Sequence, residues 1–215
     1  MMDSLQDINK DIIILKNKKI NDIIIQHLNL ATPHGKIILE DINLVINRDT
    51  STLICGPSGH GKSILLRAIA GIWVCGSGEI QLPQNTSLIF LPQKPYLPLG
   101  SLKEALLYPN NDSFDEVYLN KVLERCLLHK FKDQLNVVKN WSHTLSLGEQ
   151  QLLAFGRIFL YKPDIICLDE STSGLDEEKE SKIYLNIRKY LPHVTVISVG
   201  HRSSLYQFHE KIIIL

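Results

Sequence analysis

The sequence predicts an α/β chain: a mainly parallel sheet, an antiparallel β patch near the N-terminus and a helical subdomain inserted in the middle. Three observations predict it. Short apolar runs (Ser51 to Cys55, Thr86 to Leu91, Asp164 to Leu168, Val194 to Val199) alternate with segments whose apolar residues recur at helical spacing. A glycine-rich loop lies between the first such run and the first such segment. From about Pro92 to Leu160 the pattern changes to helices and loops. Ligands of parallel sheets of this kind bind beyond the carboxyl ends of the strands.

In chain order, Met1 to Asn21 is polar and rich in Lys, Asp and Asn apart from Ile12 to Leu15, and reads as a linker or short edge element. The domain proper is expected over 22–215, with its helical subdomain at about 94–162. Asp22 to Leu30 alternates loosely and reads as a strand. Thr32-Pro33-His34-Gly35 is a turn, and Lys36 to Ile46 continues as one or two strands. Ser51 to Cys55 is a short strand ending at Gly56, and Ile64, Leu65, Ala68 and Ile69 mark a helix over Lys62 to Ala70. The middle carries helices at Ser101 to Leu107, Phe114 to Leu128 and Leu147 to Tyr161. The core resumes with the strand Asp164 to Leu168, the helix Glu177 to Tyr190, the strand Val194 to Val199 and a last strand Lys211 to Leu215.

Composition excludes several classes. At 215 residues and 44% hydrophobic, the chain suits one domain with a real core. Lys plus Arg is 23 and Asp plus Glu is 23, so zero net charge gives no general case for a nucleic-acid partner. Cys55, Cys75, Cys126 and Cys167 are scattered, which reads as buried reduced thiols of a cytosolic protein. No apolar run spans a bilayer and no signal peptide is visible, so any membrane work needs spans from elsewhere.

Gly56-Pro57-Ser58-Gly59-His60-Gly61-Lys62-Ser63 matches G-x-x-x-x-G-K-[ST] in full. Glycines let the backbone curl so that successive N–H groups face phosphate oxygens. The helix starting near Gly61 adds partial positive charge. Lys62 supplies a point charge to the β- and γ-phosphates, and the Ser63 hydroxyl is a hard oxygen ligand for Mg²⁺. A strand before and a helix after set this loop apart from an ordinary glycine turn. The chain is therefore expected to have a P-loop NTPase core that binds ATP.

Ile165 to Leu168 is an apolar strand that ends in Asp169-Glu170. Charge at the tip of a buried strand is costly unless it is used or paired. In one reading Asp169 holds Mg²⁺ through water and Glu170 orients or deprotonates an attacking water. In the other, the acids are a solvated strand end and Ser171 or Thr172 caps the next helix.

Leu145-Ser146-Leu147-Gly148-Glu149-Gln150-Gln151 decides between families. This segment resembles the signature motif of ATP-binding-cassette (ABC) ATPases, commonly LSGGQ. The rest of the set follows in the family's order. Gln93, in Leu91-Pro92-Gln93-Lys94, matches the Q-loop, Ser173-Gly174-Leu175-Asp176 the D-loop, and His201 the switch histidine. The resemblance runs from about Asp22 to the C-terminus. It implies that Ser146, Leu147, Gly148, Glu149 and Gln150 form an anion site that acts in trans on ATP held by a second copy or a paired cassette. It also implies Mg²⁺ on Ser63, Gln93 and Asp169, catalysis by Glu170 and His201, and cross-dimer communication by Asp176. Taken singly, Gln93 reads as a loop residue, His201 as a cap at a strand end, and Asp176 as the cap of the helix at Glu177. Two departures stand out: one signature glycine is Leu147, and Glu149 replaces the frequent Gln.

Phe90 to Leu102, Ala105 to Pro109, Trp141-Ser142 and Ser198 to Ser203 resemble the cassettes of half-size transporters, including peroxisomal fatty-acyl-CoA and bacterial vitamin B12 or antimicrobial-peptide transporters. That likeness implies an ATPase powering a membrane transporter, placed at the cytoplasmic face by a membrane-spanning partner that touches the Gln93 to Leu107 region. The alternatives are a soluble ABC ATPase outside transport and a truncated transporter fragment. The turn Thr32-Pro33-His34 lacks the aromatic that many members stack on adenine, so recognition of the phosphates is the firmer expectation.

Overall fold

The structure is a computed structural model that describes residues 14–215. Among these, two compact units form: residues 14–47, 56–85 and 215, and residues 48–55 with 86–214.

The first unit holds a four-stranded sheet. Its strands are β1 (Ile14–Lys18), β2 (Ile23–Ala31) and β3 (Ile37–Ile46). The fourth is β5 (Gly76–Pro83), numbered after β4 (Ser51–Cys55) of the other unit. The order is β1-β5-β2-β3, with β2 antiparallel to both neighbours and β1 parallel to β5. The expected antiparallel patch is present. Beside it, β1 is an edge strand inside the segment read as an N-terminal extension; residues 1–13 of that extension lie outside the described residues.

Inward residues of β2 switch parity, from Ile23 and Ile25 to Leu28 and Leu30, all buried. An irregularity between Ile25 and Leu28, with His27 at φ 47°, makes the switch possible. A β-bulge of this kind keeps the apolar face inside despite an extra residue. The partner β5 accommodates it with glycine: a Cβ on Gly78 would sit 2.4 Å from the His27 carbonyl oxygen, and one on Gly76 only 2.0 Å from that of Asn29. The sequence reading has no strand here, because two such glycines mask its pattern. After β4 the chain enters this unit at the glycine loop and helix α1 (Lys62–Ile69).

The second unit is built on a five-stranded, wholly parallel sheet. It contains β4, β6 (Leu88–Leu91), β9 (Ile165–Asp169), β10 (Thr195–Val199) and β11 (Lys211–Ile214), in the order β11-β4-β10-β9-β6. β4, β9 and β10 are buried at every position, as parallel strands covered on both faces must be. Between β6 and β9 lie β7 (Gly100–Ser101), α2 (Leu102–Leu107), α3 (Glu116–Arg125), β8 (Val138–Lys139), α4 (Trp141–Thr144) and α5 (Leu147–Tyr161). β7 and β8 form a small antiparallel pair. The helix α6 (Glu177–Tyr190) links β9 to β10. A single core joins the sheet to the inserted helices through residues such as Leu106, Val122, Trp141, Phe155 and Phe159. α3 is shorter than the helix expected from 114 to 128: Leu127 turns to φ 63°, which ends it.

The four cysteines are free; those at 55, 126 and 167 are buried. Burial pushes the Cys126 thiol up to about 12 and the Cys167 thiol upward too, so both are unreactive. No helix among the described residues is long and apolar enough to cross a membrane.

Candidate active site

In the first unit the loop from Gly56 to Ser63 has the backbone its glycines allow. Gly56, Gly59 and Gly61 have φ of 138°, 81° and 77°. A Cβ on Gly56 would meet the Leu215 carbonyl oxygen at 2.4 Å, whereas one on Gly59 would meet nothing within 4 Å. Gly61 is the N-cap of α1, so no side chain covers the helix start, and the first turn has no acid. The first N–H groups of a helix have no partner within it. Lys62 is buried, and its ammonium donates to the carbonyls of Gly56 (3.0 Å) and Pro57 (2.6 Å). These neutral acceptors leave its charge uncompensated. His60 and Ser58 lie on the exposed part of the loop, where His60 Nδ1 is 3.2 Å from the Ser58 carbonyl. A helix start without a side-chain cap, a lysine with only neutral acceptors and an acid-free turn suit a polyanion such as a triphosphate.

In the second unit the parallel register aligns Ile54 with Val199 and Val199 with Asp169 in one row at the carboxyl ends of their strands. Asp169 ends β9 and is buried. Glu170 follows at φ 50°, its N–H bonded to the Val199 carbonyl at 3.0 Å. The turn away from the strand leaves its carboxylate between two partners. Gln93 Nε2 donates to one oxygen at 3.0 Å and His201 Nε2 meets the other. Gln93 and His201, 108 residues apart in sequence (201 minus 93), are thus brought onto one carboxylate. Each oxygen keeps further lone pairs for a water molecule, and the two bonds fix where those lone pairs point.

The loop after β9 is fastened from both sides. The Gln151 side chain of α5 donates to the Gln93 carbonyl (2.7 Å) and the Ser173 hydroxyl (3.2 Å), and accepts from the Gly174 N–H (2.9 Å). Arg202 donates to the carbonyls of Leu175 (2.7 Å) and Ser173 (2.8 Å) and faces the fully buried Glu180 at 3.6 Å. Glu180 also accepts from Thr172 (2.7 Å) and Ser204 (2.6 Å). The cap of α6 is Asp176, whose side chain accepts from the Lys179 N–H at 2.8 Å. Ser171 and Thr172, the alternative caps, are engaged elsewhere: Ser171 donates to the Leu91 carbonyl at 2.6 Å. His201 does not cap a helix either; the short 3-10 segment Ser203–Phe208 has Arg202 at its N-cap and no side-chain cap bond.

Ser146 is the N-cap of α5 and forms a capping box with Glu149. The Ser146 hydroxyl accepts from the Glu149 N–H at 3.3 Å, while one Glu149 oxygen accepts from the Ser146 N–H at 2.9 Å and its hydroxyl at 3.0 Å. Lys130 holds the other oxygen at 2.5 Å. Burial alone would raise the Glu149 carboxyl, but the bonds from Lys130 and Ser146 outweigh it and hold it below the ordinary value. Gln150 is buried and donates to the carbonyls of Ser142 and Leu145, fixing the approach to the helix. Leu147 is exposed, and Gly148 abuts the loop after β9: a Cβ there would be 2.5 Å from the Gly174 carbonyl oxygen.

Gln151, Arg202 and Lys130 have roles that the sequence reading leaves out. The Ser146-x-x-Glu149 spacing is a capping-box pattern and is legible in the sequence. The partners of Gln151, Arg202 and Lys130 come from distant elements and are not.

A cleft of about 460 Å³ opens along β6, lined in part by Phe90, Pro92, Tyr96, Tyr108, Arg157 and Tyr161. Tyr96 and Tyr108 pack with ring centroids 5.0 Å apart. Burial lowers the Arg157 guanidinium to about 10, and it is held by the carbonyls of Tyr96 and Ala105, both at 2.9 Å. Tyr96 and Leu99 are left exposed.

Comparison with known proteins agrees with this architecture. The family model described as ABC transporter matches residues 39–173. An uncharacterized ABC transporter ATP-binding protein of Haemophilus influenzae is 43% identical over 90% of this chain, which covers 33% of that protein. Human ATP-binding cassette sub-family D member 3 is 34% identical over 88% of this chain and 30% of its own length. Among solved structures, a bacterial Atm1-family ABC exporter with ATP bound superposes with a TM-score of 0.82 at 21% identity, over 93% of this chain and 38% of the exporter chain. The chain thus spans about a third of the length of these curated relatives.

Proposed function

The chain belongs to the ABC transporter family as an ATP-binding, ATP-hydrolysing cassette, and from that premise we propose that it powers a membrane transporter by closing and reopening a dimer around ATP. The observation that carries the mechanism is the Glu170 carboxylate held between Gln93 and His201 beside Asp169. In this reading the loop Gly56 to Ser63 binds the triphosphate of ATP. Glu170 orients water for attack on the γ-phosphorus and takes its proton as ADP leaves, and His201 steadies the γ-phosphate. Ser63, Gln93 and Asp169 offer the hard oxygen donors that Mg²⁺ prefers. When bound, Mg²⁺ offsets the negative charge of the phosphate oxygens. Ser146 and Gly148 of a second copy, or of a paired cassette, complete the γ-phosphate contacts, and Asp176 carries the state of one site to the other.

The transport role needs membrane spans that no described helix supplies. The aromatic cleft along β6, with exposed Tyr96 and Leu99, supports docking of a membrane-domain partner there, which would hold the cassette at the cytoplasmic face. Co-purification from membranes with an identified spanning subunit tests that partner. For the chemistry, Glu170→Gln is expected to abolish ATP turnover and leave a stable ATP-bound dimer. Wild-type turnover in that variant would overturn the assignment of Glu170.

A further inference from the structure

We propose that Lys130 is a positioning residue of the phosphate-contacting signature: by neutralising Glu149 it lets Ser146 face the γ-phosphate of a partner's ATP. The inference rests on the reading of Ser146 and Gly148 as a site acting in trans.

Glu149 serves helix α5 well and serves phosphate binding badly. A carboxylate in the first turn suits the helix dipole and closes the capping box. The same carboxylate sits 3.0 Å from the Ser146 hydroxyl and 2.9 Å from its N–H, and takes both hydrogens. Ser146 is the residue expected to meet a phosphate, so a fixed negative charge stands beside the place where a stronger anion must arrive. The glutamine frequent at this position in the family carries no such charge. The Glu149 side chain is about one-fifth exposed, so solvent screens it only in part.

Lys130 answers the charge; the Ser146 hydroxyl still donates to Glu149 until a stronger acceptor arrives. Its ammonium lies 2.5 Å from the Glu149 oxygen that faces away from Ser146. It cancels the local charge, which makes Glu149 a weaker competitor for the Ser146 hydroxyl hydrogen, and it holds the carboxylate in place. Lys130 comes from the 3-10 segment His129–Gln134. It lies over the Phe131 ring at 5.0 Å, and that ring packs edge-on against the buried Trp141 at 6.0 Å. The charge is therefore delivered from a firm base. A second cation whose field reaches Glu149 is Lys179, and it is bound to Asp176 at 2.5 Å. An exposed ion pair by itself adds little to stability. Its value here lies in the closed dimer, where water leaves and charge–charge terms grow.

The test uses this chain in the Glu170→Gln background, with ATP-dependent dimerisation followed by sedimentation and ATP turnover followed in the parent. Lys130→Met should weaken the ATP-bound dimer about tenfold and raise KM for ATP, with kcat and the melting temperature nearly unchanged. Lys130→Arg should restore the dimer to within about twofold, because the charge returns. In a Glu149→Gln background the same Lys130→Met change should shift the dimer less than about twofold, because no charge remains to neutralise. A dimer unaffected by Lys130→Met, or weakened equally with and without Glu149, overturns the inference. Ser146→Arg separates this from failure of the underlying reading. If that variant still dimerises with ATP, the signature is not the trans site; if it blocks dimerisation while Lys130→Met does nothing, only the role of Lys130 fails.

Discussion

Two helix N-termini in this chain are prepared for anions in opposite ways. α1 begins at a glycine, has no acid in its first turn and has no side-chain cap. α5 begins at a serine locked in a capping box with Glu149, itself tied to Lys130. The first has neither a side-chain cap nor an acid over its first turn. The second is a finished cap that is already satisfied. The difference teaches what each can recognise alone. In the proposed reading, α1 with Lys62 binds phosphate without help, whereas α5 does so only where another surface supplies most of the binding energy. That asymmetry is what a composite site shared between two copies requires.

The comparison breaks most severely at Lys62. Lys62→Ala should lower ATP affinity by roughly a hundredfold or more, measured by titration calorimetry; retained tight binding would remove the loop as the phosphate site. A sharper trial makes α1 resemble α5. Ile64 occupies the third position of α1, equivalent to Glu149 in α5. Ile64→Glu should reduce ATP affinity about tenfold by charge repulsion while helix content by circular dichroism stays constant. Equal affinity would show that first-turn charge does not matter there.

The reverse trial strips α5. Glu149→Ala should cost about 1 kcal/mol of stability through loss of the cap, read by urea denaturation. α1 has no comparable cap to lose. The smallest effect is in acid. The folded Glu149 carboxyl is held below its ordinary 4.5, so its contribution is complete above that value and is lost as pH falls through the lowered one. As pH falls below 4.5 the wild type should therefore lose slightly more stability than Glu149→Gln, and parallel curves would show that the cap does not titrate.

Much of this was legible in the sequence, and the gaps have physical causes. α5 and α6 match the expected segments residue for residue, because their apolar periodicity and caps are local. β4, β9 and β10 agree to within a residue because fully buried parallel strands read as continuous apolar runs. β5 was hidden by Gly76 and Gly78, which are there to admit the β2 bulge, and nothing local announces that bulge. At the site, the loop, Asp169, Glu170, Gln93 and His201 were named from their order along the chain. The junction of Gln93 and His201 on the Glu170 carboxylate is a product of register, since β10 pairs with β9 so that Val199 lies beside Asp169. Gln151 and Arg202 lie inside motifs read from the sequence, but their roles escaped because each acts through backbone groups of a loop far away in sequence, and a carbonyl carries no sequence signal.

The meeting of Gly148 with Gly174 carries one more consequence. A Cβ on Gly148 would stand 2.5 Å from the Gly174 carbonyl oxygen, and one on Gly174 would stand 2.9 Å from the Gly148 nitrogen. Two backbones too close to admit a methyl group between them have little slack, and close-packed interiors compress very little. The start of α5 and the loop ahead of α6 mesh like gear teeth with no backlash. A methyl group added at either glycine would therefore wedge the helix start and the loop apart.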